Sequence, residues 1–145
     1  MAHFTRTRPA PIVKGAGYAK FRAFVRLDFV ECCAYCLLPE LWRAGEKNFE
    51  LDHFRPQSRP EFKHLINDFY NLYYSCHVCN RNKWNTWPPA EYLARGIGFV
   101  DFCNDNFSDH FSLLPDGRWE PLTLSAKYTE KILLLNDPHL VLDLL

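Results

Sequence analysis

The sequence lacks the features of an exported or membrane-bound protein. Its 145 residues contain no apolar run behind a basic start and no stretch that approaches the length of a membrane span. We therefore expect a cytoplasmic protein. Internal repeats, low-complexity segments and a Gly-rich phosphate loop are also missing, which argues against a repeat array and against an ATP site in this chain.

Net charge is missing as well, because 17 basic residues balance 17 acidic ones. The charges are nevertheless unevenly distributed. No acid precedes Asp28, whereas acids dominate from Asp101 onward. A basic front and an acidic back predict either a protein oriented on a polyanion or ordinary solvated surface. The basic residues of the front are Arg6, Arg8, Lys14, Lys20, Arg22 and Arg26.

The composition predicts a folded chain, with 48% hydrophobic and 16% aromatic residues. We expect an extended, mobile basic arm over residues 1–17, where prolines and glycines recur, and one domain over 18–145. Within it, a core over about 31–88 would precede a C-terminal scaffold over 89–145.

Two cysteine pairs stand out among the six cysteines. Cys33/Cys36 and Cys76/Cys79 both have C-x2-C spacing, which predicts four thiolates around one structural zinc ion rather than disulfides in a reducing compartment. Cys32 is a shifted alternative to Cys33 with poorer spacing. We expect Cys103 to be a buried thiol and His77 to be a bystander between two ligands.

Periodicity and turn residues predict an α+β fold. Apolar residues at helical spacing predict an amphipathic helix over 18–30, and alternation predicts strands over 49–54 and 71–75. A helical turn is expected at 62–65 and a short helix from Cys79 or Asn80 that ends before Pro88. Further along we predict strands over 99–102 and 111–114, a helix over 126–135 capped by Ser125, and a last helix capped by Asp137.

The motifs between Cys33 and Lys83 follow one order: C-x2-C, then Asp-His, then Asn-Leu, then C-x2-C-Asn-x2-Lys. This order resembles the signature of the HNH endonucleases, with Asn80 where many relatives carry a second histidine. The resemblance implies a small ββα-metal core, in which two strands and a helix clasp one catalytic metal ion.

The resemblance also implies roles for four residues. Asp52 and Asn80 would bind the catalytic ion, His53 would activate water, and Asn71 would fix the histidine across the loop. Oxygen ligands favour Mg²⁺, with Mn²⁺ as a substitute, and imidazole accepts a proton near neutral pH. Because adjacent strand residues point to opposite faces, Asp52 and His53 need either a distorted strand end or separate jobs.

Several basic and aromatic residues near the motif are candidates for contact with nucleic acid. Lys83 and Arg81 on the short helix, with Arg55 and Arg59 from the preceding loop, would neutralise phosphates, although each alone is more often a solvated charge. For Trp84 and Trp87 we favour core packing over base stacking.

These features predict a metal-dependent endonuclease that nicks DNA and leaves 5′-phosphate ends. The flanks, including Asp28-Phe29 and Leu135-Asn136-Asp137-Pro138, resemble HNH proteins of retron-associated and Septu-type anti-phage systems. That likeness implies a role in phage defence and a separate ATPase partner. The sequence does not decide between DNA and RNA as the substrate, nor between a monomer and a homodimer. The alternatives are a zinc-stabilised nucleic-acid-binding module and a partner-scaffolding subunit, neither of which would cut.

Overall fold

The centre of the fold is a two-stranded antiparallel sheet followed directly by a helix. The computed structural model describes residues 2–137 and pairs β1 (Phe49–His53) with β2 (Leu72–Cys76). The register places Phe49 opposite Cys76 and His53 opposite Leu72. Helix α2 (His77–Lys83) follows β2 without a loop and packs against both strands. This arrangement confirms the predicted ββα core and the α+β class.

Helix α2 begins earlier than the sequence predicts. The Cys76 sulfur accepts a hydrogen bond from the Cys79 backbone N–H at 3.4 Å, so a cysteine takes the N-cap role. The helix therefore starts at His77 rather than at Cys79 or Asn80. It ends before Trp84, whose φ of 44° breaks the helical backbone.

The segment before the first cysteine pair is helical, as expected. A 3₁₀ turn, Tyr18–Phe21, leads into α1 (Arg22–Asp28). Val30 and Glu31 then adopt positive φ values of 54° and 59°, which turns the chain towards the cysteines. Four further 3₁₀ segments are Glu40–Arg43, Glu46–Asn48, Pro60–Leu65 and Phe69–Asn71.

The C-terminal part differs from the prediction in several places. It contains α3 (Ala90–Ala94), α4 (Phe107–His110), the hairpin strands β3 (Phe111–Leu113) and β4 (Trp119–Pro121), and α5 (Leu124–Leu133). Residues 99–102 are irregular rather than a strand, because their backbone is held by side chains: the Val100 N–H donates to the Thr129 hydroxyl at 2.8 Å. Thr123, not Ser125, caps α5, since its hydroxyl accepts from the Ala126 N–H.

Helix α4 and strand β4 were not predicted, and α5 begins and ends two residues earlier than the predicted 126–135. The helix expected after Asp137 lies outside the described residues. Ser125, displaced from its expected cap position, accepts a hydrogen bond from the Gly98 N–H at 3.2 Å. The C-terminal part thus ties an irregular buried segment to α5 by hydroxyl groups. Among residues 2–137, no helix is long and apolar enough to cross a membrane.

The start of the N-terminal arm is packed on the domain rather than extended and mobile. Phe4 is buried, and its N–H donates to the Phe102 carbonyl at 2.8 Å. The Arg6 guanidinium forms an ion pair with Asp28 at 3.2 Å and also donates to the carbonyls of Phe69 and Leu72.

The basic front is partly neutralised within the protein. Arg8 joins Arg6 on Asp28, and Arg26 forms an ion pair with the buried Glu40 carboxylate. Arg6, Arg8 and Arg26, half of the six basic residues of the predicted front, are therefore engaged inside the protein. The expectation that this surface orients the protein on nucleic acid loses those three groups.

Candidate functional site

Four cysteines from two knuckles meet in the interior. Cys33, Cys36, Cys76 and Cys79 are buried, and their sulfurs all lie within 4.8 Å of one another. The Cys36 and Cys76 sulfurs are 3.9 Å apart. Zinc–sulfur bonds of about 2.3 Å in a tetrahedron place sulfurs about 3.8 Å apart, so the cluster has the size of a Cys₄ zinc site. Cys32 and Cys103 lie outside this cluster and are partly exposed.

The electrostatics of the cluster also favour a bound cation. Burial opposes ionisation, but hydrogen bonds from Cys36, Cys76 and Cys79 lower the pKa of Cys33 well below its usual value. Hydrogen bonding to Cys33 in turn raises the pKa of Cys36 and Cys79. The protein alone therefore stabilises one thiolate at the expense of its neighbours, whereas a divalent cation would stabilise all four.

His53 ends β1 with its ring oriented by a backbone carbonyl. Its Nε2 lies 2.9 Å from the Ile66 carbonyl oxygen. A carbonyl oxygen can only accept, so Nε2 carries the proton and Nδ1 keeps its lone pair. The Tyr18 ring packs edge-on against the imidazole with centroids 4.4 Å apart. His53 is therefore held in the tautomer that a general base requires.

Asp52, the neighbour of His53, points into the interior. Its Oδ2 lies 3.0 Å from the Lys83 ammonium nitrogen and accepts a hydrogen bond from the Tyr35 hydroxyl. Burial raises the pKa of the Asp52 carboxyl, while the Lys83 charge and the Tyr35 hydroxyl act in the opposite direction. Asp52 and His53 thus have separate environments, as the alternation of a regular strand requires.

Lys83 does not reach solvent. Its side chain is 0% exposed, and its ammonium group also donates to the His53 carbonyl at 3.1 Å. The prediction that Lys83 binds phosphate is therefore corrected: it is a buried counter-charge for Asp52. A lysine three residues after Asn80 shares its helix face, but here that face packs against β1.

Asn71 bridges the loop that follows His53. Its Oδ1 accepts from the Arg55 N–H at 2.9 Å, and its Nδ2 donates to the carbonyls of Arg55 and Leu65 at 3.1 and 3.3 Å. These bonds tie the residues after β1 to the start of β2. They hold the backbone two residues beyond His53.

A cavity of about 660 Å³ opens beside His53 and the first two turns of α2. Two contacts cross its floor. The Glu50 carboxylate accepts a hydrogen bond from the Asn80 amide, and its Oε1 lies 2.6 Å from His77 Nδ1. The lining residues are Tyr18, Ala19, Arg22, Glu50, Leu51, His53, Gln57, His77, Asn80, Arg81, Trp84 and Asn85.

The predicted phosphate contacts divide into two groups. Arg81 is exposed and lines the cavity. Arg55 and Arg59 lie outside the lining set: the Arg55 guanidinium stacks over Trp87, and Arg59 donates to the Trp87 carbonyl at 3.4 Å. Arg22 also lines the cavity, although its guanidinium already donates to the carbonyls of Phe49 and Glu46.

Trp84 and Trp87 have different environments. Trp87 packs edge-on against Phe54 and Phe62, in line with the expected core role. Trp84 is 76% exposed and lines the cavity, so the expectation of core packing is wrong for this residue. The positive φ at Trp84 turns the chain outward at the end of α2.

The geometry agrees with one comparison to known proteins. Residues 33–86 match the family model of the HNH endonucleases. We call these residues the HNH segment. It contains both cysteine knuckles, β1, β2 and α2. Most residues that line the cavity come from this segment, and Tyr18, Ala19 and Arg22 come from before it. No curated protein shows a significant match to the chain.

An HNH segment implies a catalytic metal ion, and the residues fit that ion only in part. Asn80 lies in the cavity beside His53 and offers an amide oxygen. Asp52, predicted as its partner ligand, does not line the cavity, and its carboxylate is engaged by Lys83 and Tyr35. The pair Asp52 and Asn80 therefore does not converge on one ion in this structure.

Sequence reasoning did not single out Glu50, and it took His77 as a bystander between zinc ligands, which agrees with a cluster of four cysteines. The contact of Glu50 with α2 depends on the strand register, which places Glu50 opposite Ser75, two residues before α2 starts at His77. The available signal for Glu50 was its position two residues before Asp52. Its strand pairs with the strand that leads directly into α2. The register itself is decided by pairing and is not written in the local sequence.

Proposed function

We propose that the protein is an endonuclease that hydrolyses phosphodiester bonds of DNA in the cavity beside His53. The observation that carries the proposal is the orientation of His53: a backbone carbonyl fixes the imidazole in the tautomer with Nδ1 unprotonated, within a segment that matches the HNH endonucleases. Asn71 supports it by tying down the loop that follows His53.

In the proposed reaction, His53 Nδ1 takes a proton from water, and the resulting hydroxide attacks phosphorus in line with the departing 3′ oxygen. The new bond joins the hydroxide oxygen to phosphorus, the bond from phosphorus to the 3′ oxygen breaks, and the departing 3′ oxygen takes a proton from a second water molecule. The products are a 5′ phosphate and a 3′ hydroxyl. Arg81, exposed at the cavity, attracts the phosphate.

A divalent cation, Mg²⁺ or Mn²⁺, would supply positive charge for the developing oxyanion. Asn80 is the residue of the predicted pair that faces the cavity and would contribute an oxygen ligand. The four-cysteine cluster would hold zinc as a structural ion, distinct from the catalytic one.

A nicking assay tests the proposal. Supercoiled plasmid is incubated with zinc-loaded wild type and His53→Ala in Mg²⁺, in Mn²⁺ and after removal of free divalent ions. We expect the wild type to nick and the variant to be slower by about 10²–10⁴-fold, the usual contribution of a general base. Equal nicking by both would remove His53 from the mechanism, and matched RNA substrates establish the preferred nucleic acid.

The same assay separates the alternatives. A zinc-stabilised binding module would retain DNA without metal-dependent cutting, and the exposed Trp84 at the cavity is the feature that favours this second candidate. A scaffolding subunit would neither cut nor bind at physiological salt.

The role in phage defence and the ATPase partner rest on the resemblance of the flanks. We propose that the nuclease acts as one subunit of such an assembly. Full activity of the chain alone, without a co-purifying ATPase, would count against this part. One cavity cuts one strand, so complete cleavage of a duplex requires two nicking events or a homodimer.

A further inference from the structure

We propose that Glu50, together with Asn80 and His77, binds the divalent cation of the His53 cavity. The inference deepens the proposed function, since it rests on this cavity being the nuclease site. It assigns the carboxylate ligand to Glu50 rather than to Asp52.

The first argument is the charge distribution of the cavity. Glu50 is the one carboxylate among its lining residues, which also include Arg22 and Arg81. A carboxylate in a cavity that receives a phosphodiester repels its substrate unless a cation lies between them. Glu50 therefore needs a cation for this cavity to accept phosphate.

The second argument is convergence. The two carboxylate oxygens of Glu50 engage two different residues of the first turns of α2: Oε1 lies 2.6 Å from His77 Nδ1, and Oε2 accepts from the Asn80 amide. Rotation of the Asn80 amide by half a turn would present its oxygen in place of its nitrogen. The three side chains would then offer a carboxylate oxygen, an amide oxygen and an imidazole nitrogen.

The third argument is the pairing between β1 and α2. Glu50 and Asp52 are two residues apart on β1, and each contacts one residue of α2. Glu50 contacts Asn80, and Asp52 contacts Lys83. The inner pair is an ion pair in which Lys83 is 0% exposed. The outer pair has a neutral partner and opens to solvent, with the Glu50 and His77 side chains 41% and 60% exposed. A hydrated cation reaches the outer pair.

The ligand set also predicts the preferred ion. Oxygen ligands alone suit Mg²⁺, whereas an imidazole nitrogen shifts preference towards later divalent metals. We therefore expect Mn²⁺ to bind more tightly than Mg²⁺.

The test is Mn²⁺ binding, followed by the loss of the free-ion electron paramagnetic resonance signal, with zinc already in the cysteine cluster. We expect Glu50→Gln to weaken Mn²⁺ binding at least tenfold and His77→Ala to weaken it severalfold and to reduce the Mn²⁺ over Mg²⁺ preference. The matched control is Glu61→Gln, an exposed carboxylate outside the cavity, which should bind Mn²⁺ like the wild type.

Wild-type affinity in Glu50→Gln would overturn the proposal, as would a wild type that binds no Mn²⁺ beyond the cysteine cluster. The binding test and the nicking test fail separately. Mn²⁺ binding that depends on Glu50 in a protein that cuts nothing would keep the cation site and refute the nuclease. DNA cleavage by a protein whose Mn²⁺ affinity does not change in Glu50→Gln would keep the nuclease assignment and refute the cation site.

Discussion

Replacement of Lys83 by methionine distinguishes a buried counter-charge from a phosphate ligand. The Lys83 ammonium lies 3.0 Å from Asp52 and has no exposed surface. At that separation the attraction is about 5–6 kcal/mol for an effective dielectric constant near 20. Methionine fills a similar volume but carries no charge. The buried Asp52 carboxylate would then keep only its hydrogen bond from the Tyr35 hydroxyl. Removal of one partner of a buried ion pair costs about 3–5 kcal/mol.

We expect Lys83→Met to lower the free energy of unfolding by about that amount, measured by urea denaturation of zinc-loaded protein at pH 7. The control is Lys63→Met, at an exposed position of the Pro60–Leu65 turn, which should change it by less than about 0.5 kcal/mol.

The loss should depend on pH in a defined direction. Burial already raises the pKa of the Asp52 carboxyl, and removal of the Lys83 charge raises it further. The folded variant then binds a proton more tightly than the unfolded chain does, so its deficit is largest at high pH. It shrinks as the pH falls through the raised pKa of Asp52.

The reasoning fails if Lys83→Met unfolds like the wild type but binds DNA more weakly, with a salt slope reduced by about 0.9 as loss of one phosphate contact requires. That pattern would place Lys83 on the nucleic acid and would restore the sequence-based prediction.

Three further predictions concern other parts of the molecule. Metal analysis should find one zinc per chain, and Cys36→Ser should prevent folding, because structural zinc contributes about 10–16 kcal/mol in small sites; a folded, zinc-free protein would contradict this. Trp84→Ala should leave the urea midpoint unchanged, since the indole is exposed, yet weaken single-stranded DNA binding by about 1–3 kcal/mol; unchanged affinity would exclude stacking. Arg6→Met should destabilise the fold by about 1–3 kcal/mol, because buried Asp28 keeps only Arg8 as an ion-pair partner and the Phe69 and Leu72 carbonyls lose a donor, whereas a freely mobile arm predicts no effect in the same denaturation assay.

The cysteine knuckles and the ββα order were predictable because each depends on short spacings. Two C-x2-C pairs specify a tetrahedral ligand set whatever lies between them, and strand alternation already separated Asp52 from His53. The HNH segment was recognisable for the same reason, since its motifs are local. The predicted α+β class and ββα core agree with the structure.

The errors have a common physical cause. Residues 99–102 have the composition of a strand, but backbone pairing needs a partner, and here hydroxyl groups of α5 supply the hydrogen bonds. Trp84 looked like a core residue beside prolines, yet a positive φ directs it outward. Arg6 and Lys83 looked like surface cations, yet acids distant in sequence neutralise them inside the protein.

The sequence by itself determined which chemical groups are present and how they are spaced: four thiols in two knuckles, an imidazole at the end of a strand, and an asparagine on the helix that follows. Only the tertiary structure decided which of them face each other. The register of β1 and β2 carries Glu50, rather than Asp52, to Asn80, and the packing of α2 directs Lys83 inward. Glu50 and Asp52 lie on the same face of β1, so a two-residue change of register would exchange them, and local sequence does not specify that choice.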